Sequence, residues 1–61
     1  MKRRDLIKHL TDNGCTLVRE GGKYSVFVNP AKGIEVPVTR HPELPDFSAR
    51  KICKQLEIPL P

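Results

Sequence analysis

The stretch Glu20-Gly21-Gly22-Lys23-Tyr24-Ser25-Val26-Phe27-Val28-Asn29-Pro30 decides the fold. Two glycines make a turn, the following residues are rich in β-favouring side chains, and Asn-Pro breaks the strand. Immediately before it, Cys15-Thr16-Leu17-Val18-Arg19 reads as a partner strand, so the two runs predict a β-hairpin in which Gly21 and Gly22 supply positive φ. On the returning strand Tyr24, Val26 and Val28 share one face and Ser25, Phe27 and Asn29 the other. Both faces carry apolar groups, so the pattern leaves the packing face open.

Working outward, Pro30 to Gly33 forms a second turn, and Ile34, Val36 and Val38 share one face of a third strand. Pro37 has no N–H to give a ladder, which places it at a sheet edge or near the strand end. Towards the start, Leu6, Ile7 and Leu10 fall at helical spacing and Gly14 suits the left-handed residue that ends a helix, predicting one from about residue 3 to 13. Residues 39–46 hold two prolines and no period, and read as a loop. Ala49, Ile52, Cys53 and Leu56 then predict a second helix from about residue 47 to 56, with Asp46 or Ser48 as its cap. The tail with Pro59 and Pro61 is expected to be extended. The order α-β-β-β-α gives a small α+β fold, one domain over residues 1–61, with a three-stranded antiparallel sheet and both helices on one face.

A chain of 61 residues buries only about 60% of its unfolded surface, which leaves no room for a deep substrate cavity. Function is expected on an open face, against a macromolecule. Eleven Lys and Arg against seven Asp and Glu give a net charge of +4, which favours a polyanionic partner. Cys15, Cys53, His9 and His41 are scattered without finger-like or redox spacing, so neither a metal nor another cofactor is expected. The cysteines read as small apolar side chains. The sequence has no secretory or membrane-spanning apolar run, which makes a cytoplasmic protein with reduced thiols, away from membranes, the expectation.

Several residues could carry chemistry. At about 100° per residue, Arg50, Lys51 and Lys54 form a basic stripe opposite the apolar arc of the second helix, suited to phosphate contacts that read no sequence. It could equally be a solvated face. Lys23 in the turn and Lys2, Arg3, Arg4 and Lys8 near the start add to the basic balance. His41, between Arg40 and Glu43, offers an imidazole for proton transfer or simply fixes a loop. His9 reads as a surface residue. Tyr24 stands at the mouth of the glycine turn, a position suited to chemistry. A phenol is a weak acid, however, with only about one molecule in a thousand ionised at pH 7, and the side chain could be an edge aromatic.

Lys2-Arg3-Arg4-Asp5-Leu6-Ile7-Lys8 with Gly14 and Cys15, Leu17 to Lys23 with Ser25 to Pro30, and Val36, Pro37, Arg40, His41, Glu43, Ala49 to Lys54, Leu56, Ile58 and Pro59 together resemble the HicA family of small toxins. No single piece is sharp, but their joint order covers nearly the whole chain. The resemblance implies a metal-independent endoribonuclease that cleaves mRNA, paired with a HicB-type antitoxin expected to cover the Tyr24 face. On that reading the cations Lys23, Arg50, Lys51 and Lys54 would hold the phosphates of the RNA. In the family a catalytic histidine follows the glycine-basic pair, and the matching position here is Tyr24. Three readings of that departure stand: a deliberately inactivated form, a natural variant that binds without cutting, or an enzyme using another group such as His41. The element order is also that of double-stranded RNA-binding domains, so a non-catalytic RNA-binding module is the alternative. A pure protein-interaction domain is a third.

Overall fold

The computed structural model describes residues 1–61. Its elements are α1 (Arg3–Asp12), β1 (Thr16–Glu20), β2 (Tyr24–Asn29), β3 (Ile34–Thr39) and α2 (Asp46–Leu56), and the antiparallel sheet has the order β1-β2-β3. Leu6 and Leu10 from α1, Ala49, Ile52, Cys53 and Leu56 from α2, and Phe27, Val36 and Val38 from the sheet share one core with Cys15 and Leu44. Both helices therefore cover the same face of the sheet. Pro37 lies on β3, an edge strand, where its missing donor costs nothing.

The face left open by the alternation is settled in favour of Ser25, Phe27 and Asn29, all buried. Two polar groups can go inward because each is bonded there. Asn29 Nδ2 donates to the Leu56 carbonyl at 2.7 Å, tying β2 to the end of α2, while its Oδ1 accepts from Ala31 N–H at 3.2 Å within the turn. Ser25 Oγ accepts from Arg3 Nη2 and donates to Glu20 Oε1, both at 2.8 Å.

A β-bulge makes the second of these bonds possible. Leu17 stands opposite Phe27 but Arg19 stands opposite Val26, so Val18 is an extra residue in β1. A one-residue slip exchanges the two faces of a strand. Beyond the bulge Glu20 turns inward, opposite Ser25, and Arg19 outward, where it pairs with Glu35 at 2.9 Å.

Four sequence-based expectations need correcting. Gly21 and Gly22 do not take positive φ; Gly14 and Gly33 do. Residues 21–23 form a three-residue connection closed by Gly21 N–H donating to the Tyr24 carbonyl at 2.8 Å, and this longer loop spares them the left-handed backbone that a tight two-residue loop demands. Neither Asp46 nor Ser48 caps α2: Pro45 is the N-cap, no side chain bonds there, and Asp46 lies in the first turn. The Ser48 N–H, one of the groups a side-chain cap would serve, donates instead to the Pro45 carbonyl at 3.0 Å. β1 also begins and ends one residue later than the run predicts. Cys15 is instead a buried residue whose N–H closes the end of α1 on the Leu10 carbonyl at 2.9 Å. At that end Asn13, read as the last residue of the helix, is its C-cap, with N–H bonds to the His9 and Leu10 carbonyls.

Candidate functional site

The β2–β3 ladder runs off the end of the sheet and builds a site there. Tyr24 pairs with Thr39, and one rung further Arg40 N–H donates to the Lys23 carbonyl at 3.2 Å. The hairpin turn and the loop leaving β3 are thereby held side by side. Between them lies an open cleft of about 390 Å³ lined by Gly22, Lys23, Tyr24, Thr39, Arg40, His41 and Pro42. Tyr24 and His41, far apart in sequence, face one space.

Each wall has a structural cause. Tyr24 begins β2 with the outward phase, opposite in sense to buried Ser25, and the residue is 52% exposed. His41 is held by its backbone, whose N–H reaches Thr39 Oγ1 at a long 3.4 Å, and the imidazole is left to the cleft. Arg40 Nη1 donates to the Gly21 carbonyl at 3.0 Å and stands 3.5 Å from Glu20 Oε1, so it clamps the turn. Beneath the cleft Arg3 crosses from α1, donating from Nε to the Thr39 carbonyl at 2.9 Å and from Nη2 to Ser25 Oγ. Arg3, Ser25, Glu20 and Arg40 form one chain of polar contacts that braces both walls. Lys23 forms no ion pair.

Of the residues singled out from sequence, Tyr24, His41 and Lys23 meet in this cleft. Arg50, Lys51 and Lys54 do not line it: all are exposed on α2, and Arg50 borders a separate depression with Met1, Asp46, Ala49 and Pro61. His9 Nε2 donates to the Pro59 carbonyl at 2.7 Å, fastening the tail. Cys15 and Cys53 are buried and unpaired, and burial raises both thiols above their ordinary pKa of 9.0, with Cys15 adding to the effect at Cys53. No three His, Cys, Asp or Glu side chains converge as metal ligands. Sequence reasoning missed Arg40 and Thr39. Their signal was the β2–β3 register, in which any residue opposite Tyr24 becomes its neighbour.

The family model of the HicA toxin of bacterial toxin–antitoxin systems matches residues 3–58. The chain belongs to the HicA toxin family. The match takes in every helix and strand and all of the Tyr24–His41 cleft. No curated protein and no solved structure matches the chain significantly. No helix is long and apolar enough to cross a membrane.

Proposed function

We propose that this HicA-family toxin acts on mRNA as a metal-independent endoribonuclease of a type II toxin–antitoxin pair in the cytoplasm, weakened or silenced because Tyr24 occupies the position of the family's histidine. The observation that carries the reading is the meeting of position 24, His41, Lys23 and Arg40 around one open cleft. RNA can be cut by its own ribose 2′-hydroxyl, which attacks the adjacent phosphorus while the 5′-oxygen of the next nucleotide leaves. That reaction needs a base to take the hydroxyl proton, an acid to protonate the leaving oxygen and cations to hold the phosphoryl charge. It needs no metal. His41 is the one imidazole of the cleft; Lys23 and Arg40 supply positive charge.

In this assignment position 24 and His41 share the proton transfers. With Tyr24 in place one partner is a phenol, a poor base at neutral pH. Arg50, Lys51 and Lys54 make more distant phosphate contacts from the exposed side of α2. A HicB-like antitoxin, less basic than the toxin, silences it by covering the Tyr24 face.

The phenol at position 24 also favours a second reading, a non-catalytic RNA-binding module. One comparison separates the two: cleavage of a labelled single-stranded RNA by this chain beside its Tyr24→His variant, without added metal. The nuclease reading expects the variant to cut at least 100-fold faster, the order of one general acid or base. No cutting by either, with RNA still bound, would give the second reading the field.

A further inference from the structure

A second cleft, of about 420 Å³, adjoins the first and shares Arg40 and Pro42 with it; its other walls are Lys2, Arg3, Arg4 and Glu43. We propose that this second cleft is a phosphodiester-binding subsite. The RNA strand whose scissile phosphate occupies the Tyr24–His41 cleft passes over Arg40 and sets a neighbouring phosphate between Lys2 and Arg4. The inference rests on the RNA reading above and adds a path for the strand.

Charge is the first argument. Four cations face one carboxylate, Glu43, which stands 3.5 Å from the Met1 amino group. Arg3 is committed to Thr39 and Ser25, but the Lys2 and Arg4 side chains are exposed and make neither an ion pair nor a hydrogen bond within the chain. Unpaired cations held close together repel one another, and a phosphate relieves that repulsion.

Lining is the second argument. Pro42 is the one uncharged residue that borders the cleft and no aromatic side chain does, so it offers a base no aromatic ring to stack on and offers a phosphate several donors. Placement is the third. Lys2 forms a β-bridge with Glu43, and Arg3 N–H donates to the Pro42 carbonyl at 2.9 Å, so the start of α1 is strapped to the loop that carries His41. Arg40 spends Nη1 on the hairpin and keeps other N–H groups of its guanidinium for a ligand between the clefts. The cations of α2 border neither cleft.

The test uses the full chain and a fluorescent single strand of 2′-O-methyl oligouridine, about 12 nucleotides long, which retains the phosphates and lacks the attacking hydroxyl. Affinity is measured across about 0.05 to 0.5 M KCl for the parent, for Lys2→Gln with Arg4→Gln, and for Lys8→Gln with Lys32→Gln. Both double variants lose two cations, but Lys8 and Lys32 are paired with Asp12 and Glu57 away from the clefts. Two lost contacts at about 0.7 each lower the slope of log affinity against log salt by about 1.4 and weaken binding on the order of 25-fold at 0.1 M. The Lys8 and Lys32 variant stays within about threefold of the parent. Equal losses in the two double variants, or an unchanged slope for the Lys2 and Arg4 variant, overturn the subsite while leaving the RNA reading intact. A parent that fails to bind, or binds without salt dependence, removes the RNA reading and the subsite together.

Discussion

Replacing Ser25 by Ala tests the brace beneath the cleft. The hydroxyl is completely buried, accepts from Arg3 and donates to Glu20, and alanine fits its site without a clash. Each bond has a charged partner and alone contributes about 1.5–3 kcal/mol. The full sum is not lost, because Arg3 keeps the Thr39 carbonyl and Glu20 remains half exposed and close to Arg40, where water replaces what the serine gave. The expected net cost is about 2 kcal/mol. A domain of this size holds roughly 3–9 kcal/mol in total, so Tm falls by about 8–16 °C. Thermal and urea unfolding followed by circular dichroism read the loss. A cycle with Glu20→Gln locates it, since residues in one network couple by about 0.5 kcal/mol or more. A Tm unchanged within about 2 °C would refute the idea that Ser25 joins α1 to the hairpin through Arg3, and strict additivity with Glu20→Gln would refute its coupling to Glu20.

Three other perturbations follow from the same structure. Asn29→Ala removes the bond to the Leu56 carbonyl and leaves a buried acceptor unpaired; a cost of about 2 kcal/mol is expected in urea unfolding, with faster amide exchange in the last turn of α2. Glu57 holds φ 58° just after α2, so Glu57→Gly, relieved of that backbone strain and losing only an exposed pair with Lys32, is expected to stabilise the fold by about 0.5–1 kcal/mol; a lower urea midpoint would contradict this. Burial raises the Cys15 and Cys53 thiols, so unfolding lets them ionise more readily. Their contribution is present below the ordinary value of 9.0 and lost as pH rises through the higher folded values. The urea midpoint is expected to fall between about pH 7.5 and about pH 9.5, and an equal midpoint would count against burial as the cause.

The elements were legible because their signals are local. Leu6 and Leu10, Ala49 to Leu56, and the run Tyr24 to Asn29 each carry a period that side-chain burial enforces. The inward face of β2 was not legible. Ser25 and Asn29 are affordable inside only because Arg3, Glu20 and the Leu56 carbonyl arrive from distant parts of the chain. The bulge at Val18 is likewise silent in a run without glycine, yet it decides that Glu20 points to Ser25. For the site, Tyr24, Lys23 and His41 could be named from residue chemistry. Their convergence could not, because it follows from the pairing of Tyr24 with Thr39.

The central claim is that position 24 and His41 form one reacting centre. Its most direct measurement is the pH dependence of RNA cleavage by the Tyr24→His variant, with and without His41→Gln. The account predicts a bell-shaped profile for the single variant, and for the double variant a loss of about 10²–10⁴-fold together with one limb of the bell. Cleavage of unchanged rate and profile after His41→Gln would contradict it.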